Sequence, residues 1–280
     1  MRILGAMLGG TISSYNESGT IKLGKPSFAS GFLTEKFPGH DFVFPDFVTY
    51  SSEDATPYMY REALKRIISE AGNGGFDGIL ITHGTDTCAF FAQLASRVLS
   101  SLDIPFVITG SVMAPDVDPD EASGNLEFAV RCLEAGKTGA VFRNRDGEPE
   151  LYRAYLIMSP DINGIYDEYK GGIVPGLTGC SGFLANERLP EILVIPAVPG
   201  AVIPHGGFDR VLICCNHSGT ASAGLADKIR KWTSEGIQCF MAPVPTDSGV
   251  YESRKILRDA GASELPGMPL EGAWCEVMLR

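Results

Sequence analysis

Gly78-Ile79-Leu80-Ile81-Thr82-His83-Gly84-Thr85-Asp86-Thr87 decides the fold. Five residues without a charge form a run too short for a helix and suited to burial on both faces, as in a parallel sheet. A polar loop, His83 to Thr87, follows at once, and a helix-period stretch over Phe90–Leu99 comes next, with Phe91, Leu94, Ala95 and Val98 on one stripe. Strand, polar loop and helix form one unit of an α/β sheet.

Outward from this unit the pattern repeats. Towards the N-terminus, Ile3–Leu8 and Phe42–Thr49 read as strands. Pro57–Ala71 reads as a helix, with Tyr60, Ala63, Leu64, Ile67, Ile68 and Ala71 on one face, Pro57 in its first turn and Gly72 as a stop. Towards the C-terminus come a strand at Phe106–Thr109, a helix at Leu126–Ala135, and a hairpin over Val141–Ile157 turning at Asn144-Arg145-Asp146-Gly147. Alternation of this kind implies right-handed crossovers and a parallel sheet covered on both faces. Gly171–Pro190 is rich in glycine and polar residues, without a period, and reads as a linker. A smaller unit follows, with strands at Ile192–Ile195, Val211–Cys214 and Gln238–Ala242 and helices at Leu225–Ser234 and Glu252–Ala260. The expected organisation is an N-terminal α/β domain over 1–170, a linker over 171–190 and a small α/β domain over 191–280.

Composition narrows the function. The 280 residues carry a formal net charge of -11, which repels nucleic acid and anionic membrane surfaces, so neither is an expected partner. No stretch is long and apolar enough to span a membrane. The first residues, Met1 to Leu8, are too short for a secretory signal and read as a buried strand. Seven cysteines at irregular spacing and four scattered histidines give neither a disulfide framework nor a zinc site. Reduced, mostly buried thiols fit a cytoplasmic location. Neither Gly-x-Gly-x-x-Gly nor Gly-x-x-x-x-Gly-Lys follows the first strand, which counts against nucleotide binding. The acidic run Asp116–Glu121 lacks the spacing of a calcium loop and reads as a solvated loop. No cofactor and no metal are expected.

In an open parallel sheet, ligands sit beyond the carboxyl ends of the strands. Gly9-Gly10-Thr11-Ile12-Ser13-Ser14 follows the first strand, His83-Gly84-Thr85-Asp86-Thr87 the next buried one, and Gly110-Ser111-Val112-Met113 the one after. Paired glycines allow close backbone approach, a neighbouring hydroxyl can attack a carbonyl, and a helix N-terminus favours an anion. Each loop alone has a plainer reading. Gly-Gly-Thr makes a turn, Thr85 or Asp86 an N-cap, and Ser111 a turn bond. The shared edge of the sheet is what joins them into a candidate site. His83 reads chiefly as loop packing, with general-base chemistry as the alternative. His217 reads as a turn residue and Cys214-Cys215 as core.

These residues resemble the bacterial-type asparaginase/glutaminase family. The resemblance rests on Leu8-Gly9-Gly10-Thr11-Ile12, Thr82-His83-Gly84-Thr85-Asp86-Thr87, Ile108-Thr109-Gly110-Ser111 and Ser123-Gly124-Asn125-Leu126. It implies a flavodoxin-like N-terminal domain, a smaller α/β C-terminal domain, a homodimer or homotetramer with sites near subunit contacts, and a small-molecule amide as substrate. Carried over residue by residue, it makes Thr11 the nucleophile and Thr85 with Asp86 the second threonine and its acid. Ser52-Glu53 resembles the pair that grips the substrate α-groups, the alternative being a helix-entry turn. Gly10, Gly84 and Ser111 complete the expected substrate contacts.

The departures from the family cluster at the site. Ser159 stands at the family lysine, and Arg153 matches a different position. Thr20 lies near the place of the tyrosine that covers the nucleophile, and Tyr15 is the candidate substitute. Leu8 replaces a threonine, and His217-Ser218-Gly219-Thr220 replaces a glycine-asparagine loop. Two readings stay open: a retuned amidohydrolase acting through an acyl-enzyme, and a catalytically altered homologue that binds an acidic amino acid.

Overall fold

A computed structural model describes all residues except Pro26, Gly171, 173–178, His205 and 247–248. It divides into two compact units, Met1–Glu168 and Tyr169–Arg280.

In the first unit, β1 (Arg2–Met7) leads into a short hairpin, β2 (Ser14–Glu17) and β3 (Thr20–Leu23). Next come α1 (Ser27–Lys36), β4 (Asp41–Val43), α2 (Pro57–Gly74), β5 (Gly78–Thr82), α3 (Cys88–Val98), β6 (Phe106–Thr109), α4 (Pro119–Glu134), β7 (Gly139–Arg143) and β8 (Pro149–Tyr152). The main sheet runs β4-β1-β5-β6-β7-β8, parallel through β7 and antiparallel at β8. Counting the parallel strands alone, the order is 2-1-3-4-5, the flavodoxin-like winding. Every residue of β5 and β6 is buried, which explains their unbroken apolar sequences. Leu80, Val107 and Val141 pack with Leu33 of α1 and Leu126, Val130 and Leu133 of α4, while α2 and α3 pack on each other.

Local chemistry sets the helix ends. Thr56 Oγ1 accepts from the Met59 N–H at 3.3 Å, Pro57 stands in the first turn, and Gly75 closes α2 in the left-handed region. The acidic run is a correction to the solvated loop expected there. Asp118 accepts from the Glu121 N–H at 3.1 Å as an N-cap, and α4 begins at Pro119, seven residues before the expected start. Its apolar period begins only at Leu126, because the first two turns carry capping and loop-shaping residues.

The expected strand over Phe42–Thr49 shrinks to Asp41–Val43. Pro45 has no N–H for a ladder, and the chain leaves the sheet until Tyr50 pairs with Gly9. The expected hairpin over Val141–Ile157 ends at Tyr152. α1 and the hairpin of β2 and β3 lie outside the sequence expectation, having weak periodicity and short polar strands.

The second unit holds a parallel sheet, β12-β11-β10-β9, built from β9 (Ile192–Pro196), β10 (Arg210–Cys214), β11 (Gln238–Val244) and β12 (Ser263–Pro266). Among the described residues four helices accompany it: α5 (Cys180–Ala185), α6 (Ala226–Ser234), α7 (Glu252–Asp259) and α8 (Leu270–Leu279). β12, α5 and α8 extend the expected inventory. α5 lies inside the expected linker 171–190, of which 171 and 173–178 are outside the described residues. No helix among the described residues is long and apolar enough to cross a membrane.

Candidate active site

The winding reverses between β1 and β5, and the carboxyl ends of those two strands open on the crevice where ligands of such sheets bind. Both loops that carry the candidate threonines start there. Leu8 N–H donates to the Thr82 carbonyl at 3.1 Å, so the strands stay zipped to the last residue before the loops diverge.

The loops then meet backbone to backbone. Gly10 has φ 78°, and a Cβ on it would lie 2.2 Å from both Cα and N of Gly84. A Cβ on Gly84 would lie 2.5 Å from Ser52 Oγ. Glycine at these two places lets the Thr11 loop, the Thr85 loop and the Ser52 turn share one small space. The third polar loop joins by the His83 N–H, which donates to the Thr109 carbonyl at 2.9 Å.

Thr11 opens a short 3-10 turn over Thr11–Ser13 and is half-buried; Thr85 is buried. Among the described residues neither hydroxyl has a hydrogen-bond partner, so both stay available to a ligand. Asp86 is exposed, and the buried Ser52 donates to it through Oγ at 3.5 Å, a long contact. Thr87, not Thr85 or Asp86, occupies the N-cap position of α3, so capping does not claim their side chains. Thr87 Oγ1 instead donates to the Ser52 carbonyl at 2.8 Å and accepts from Tyr60 OH at 2.7 Å, tying the Ser52 turn to the second loop. Ser52–Asp54 is a helix-entry turn, as the plainer reading had it, and it also presents Ser52 to Asp86. Glu53 in the same turn is exposed.

Ser111 is fully buried, and its hydroxyl donates to the Met113 carbonyl at 2.7 Å, so it serves the turn as the plainer reading had it. That turn is shaped by two residues to which the sequence reading assigned no contact in the site. Glu121 accepts from the N–H groups of Val112 and Met113 at 2.9 and 3.0 Å, and Asn125 donates to the Gly110 carbonyl at 2.9 Å. Glu121 stands in the first turn of α4, in the stretch read from sequence as a solvated loop. Tyr15 lies on β2, four residues after Thr11, and is exposed; the Asn16 N–H anchors that hairpin to Asp116 at 2.7 Å. Ser159 is exposed, in a segment anchored by the Gln93 bond to the Ile157 carbonyl and the Met158 N–H bond to the Asp167 carbonyl.

The buried ionisable side chains beside the Thr85 backbone stay neutral. Burial pushes the Tyr166 phenol and the Cys88 thiol up, away from ionisation. Burial also pushes the His83 imidazole down to about 4, against the smaller upward pull of its bond with the Gly84 carbonyl. That histidine is fully enclosed, stacked on Phe91 at 4.7 Å and met edge-on by Tyr50 and Tyr60 at 5.5 and 5.7 Å. The loop-packing role fits this cage.

A pH effect on stability follows. Between about pH 6.5 and pH 4 the unfolded chain binds a proton at residue 83 and the folded chain does not. Stability therefore falls as pH drops through that window, by roughly 3 kcal/mol in all. Denaturant midpoints at pH 7 and pH 4.5 are expected to differ more for the native chain than for His83→Asn. Equal differences would mean that the buried ring does not stay neutral.

His217 lies in a turn closed by the Gly219 N–H to the Asn216 carbonyl, and Cys214 and Cys215 are half-buried thiols pushed up to about 11 and about 12. None of the seven cysteines is in a disulfide among the described residues. Among the described residues no three His, Cys, Asp or Glu side chains gather as metal ligands.

Comparison with known proteins agrees with this layout. The family model of the asparaginase N-terminal region matches residues 2–153. A glutamyl-tRNA(Gln) amidotransferase chain of Aeropyrum pernix is 32% identical over 265 residues, covering 81% of this chain and 61% of that protein. The chain thus spans less than two thirds of that relative's length. An L-asparaginase of Thermococcus kodakarensis is 42% identical over 65 residues, covering 23% of this chain and 20% of that one. The structure of a probable cytoplasmic L-asparaginase from Campylobacter jejuni superposes with a TM-score of 0.73 over 99% of this chain and 93% of that one. The identity there is 19%, so this likeness concerns the fold.

Proposed function

The chain belongs to the asparaginase family, and from that premise we propose that it hydrolyses a small carboxamide or imide, with Thr11 as nucleophile. The observation that supports the reading is the close approach of Gly10 and Gly84, which brings together the loops carrying Thr11, Thr85 and Asp86. Thr11 Oγ1 attacks the amide carbon as its proton is taken up. The C–N bond breaks and the nitrogen leaves with a proton, as ammonia from a carboxamide or as a carboxamide from an imide, and an ester to Thr11 remains. Water then cleaves the ester, releasing the acid and restoring the hydroxyl.

A threonine hydroxyl needs a proton acceptor and donors for the oxyanion. Asp86 is the ionisable group beside the loops that suits the first task, with Thr85 as the relay between them. The N–H groups of the two loops suit the second. Gly10, Gly84, Ser52 and Glu53 frame the substrate, Glu53 and Asp86 favouring a substrate that carries an ammonium group. Tyr15, on the hairpin beyond the nucleophile, and Ser159, where the resemblance places a lysine, are the groups whose roles a bound substrate would decide. An assembly of two or four copies, in the reducing cytoplasm, completes the reading.

A second reading has one specific observation in its favour. The recorded hydrogen bonds to Thr85 go to its carbonyl, from the Tyr166 phenol and the Cys88 N–H, and neither donor is built to take up a proton at neutral pH. In that reading the crevice binds an acidic amino acid without turning over an amide. Ammonia release from asparagine, glutamine and their D-forms, together with ring opening of related lactams and imides, separates the two. Steady turnover of one compound supports hydrolysis. Tight binding of aspartate or glutamate, with no turnover across the panel, replaces it with the binder.

A further inference from the structure

We infer that His83 and Tyr166 are positioning residues, which hold the Gly84 and Thr85 carbonyls inward so that the Thr85 and Asp86 N–H groups face the substrate oxygen. The inference rests on the proposed hydrolysis and assigns work to two buried side chains outside the crevice.

A trans peptide points its C=O and its N–H in opposite directions. The carbonyl of Gly84 lies 2.8 Å from His83 Nδ1. A carbonyl only accepts, so Nδ1 carries the hydrogen and Nε2 is bare, which agrees with the absence of a partner for Nε2. The imidazole cannot turn away, because Phe91, Tyr50 and Tyr60 enclose it. The next carbonyl, that of Thr85, accepts from Tyr166 OH at 2.9 Å. Its other donor, the Cys88 N–H, stands at 3.4 Å, so the phenol is the firmer hold. Tyr166 is itself fixed, stacked on Phe142 with ring centroids 4.0 Å apart.

With both carbonyls drawn towards buried donors, the N–H groups of Thr85 and Asp86 must project the other way. Neither has an acceptor among the described residues. Such N–H groups are left unpaired only where water or a ligand serves them, and the exposure of Asp86 provides that opening. Two successive donors at the entry to an eleven-residue helix form a pair suited to an oxygen that gains negative charge. Both holding groups stay neutral through the physiological range, so the alignment does not change with pH as a charged clamp would.

Tyr166→Phe in the full chain is the decisive variant, since it keeps the ring stack and removes one hydroxyl. With a panel substrate, kcat is expected to fall about ten-fold while KM stays within about two-fold, because the donors act on the oxygen as charge develops. A merely structural tyrosine would lower the unfolding temperature and leave kcat per folded molecule unchanged. For His83, the asparagine variant can place an N–H where Nδ1–H stands and is expected to keep activity within about three-fold, whereas His83→Leu is not.

Amide spectra of the 15N-labelled chain titrated with aspartate give a readout independent of turnover. The Thr85 and Asp86 amides should shift in the native chain, and by less than half as much in Tyr166→Phe. Native kcat in Tyr166→Phe, or no shift at either amide in the native chain, overturns the inference. A chain that shows the shifts but releases no ammonia retains the positioning and loses the hydrolysis.

Discussion

Thr11→Ala is expected to abolish ammonia release while leaving the fold intact. The structural half of that expectation comes from position. Thr11 is half-buried at the start of a 3-10 turn, and its hydroxyl bonds to nothing among the described residues. Removing it leaves no buried polar atom unsatisfied and no cavity inside a packed core, so the unfolding temperature should stay within about 2 °C of the native value. The chemical half comes from role. Loss of a nucleophile removes the covalent route altogether, and only the binding and oxyanion contributions of the site remain. A fall in kcat of at least about a thousand-fold is expected, with aspartate binding retained. Thr11→Ser, which keeps a hydroxyl, should recover part of the rate. Full activity in Thr11→Ala would remove the acyl-enzyme and with it the function proposed for this crevice.

Most of what places Thr11 is legible in the sequence, and the reason is local. Gly78–Thr82 is apolar throughout because both faces of β5 are covered, and His83 to Thr87 is polar because it leaves the sheet at a helix entry. Burial and backbone geometry act there on neighbouring residues, so a short window carries the signal. Glu121 and Tyr166 were not legible for the opposite reason. Glu121 shapes a turn eight or nine residues away, and Tyr166 reaches a carbonyl eighty-one residues earlier in the chain. Nothing in the sequence around either residue records such a contact. Ser111 kept two readings because a hydroxyl in a loop serves a ligand or its own turn equally well. Only the direction of Oγ decides, and here it points to Met113. The short β4 was foreseeable from Pro45, whose missing N–H outweighs the β-favouring residues around it.

The contact that unites the two threonine loops yields the second large effect. Gly10→Ala would bring a methyl group to 2.2 Å from Gly84 Cα and N. Both are backbone atoms, so no side chain can rotate aside, and the clash has to be relieved by moving one loop away from the other. Alanine at φ 78° and ψ -172°, a region open essentially to glycine alone, adds its own steric cost of about 1–3 kcal/mol. Forced backbone shifts typically add about 1–3 kcal/mol. A loss of roughly 3 kcal/mol corresponds to a drop on the order of 10 °C in the unfolding of the first unit. Activity should fall further than stability does, because a displacement of about 1 Å between nucleophile and partner groups can cost about a hundred-fold in rate.

Gly19→Ala is the control that separates the two causes. Gly19 also has a positive φ, 87°, but a Cβ there meets nothing within 4 Å. It therefore carries the conformational cost without the collision, and should lose only about 1 kcal/mol with little change in kcat. If Gly10→Ala matched Gly19→Ala in both stability and rate, the loops would not be held in contact. Thr11 and Thr85 would then have no reason to act on the same substrate.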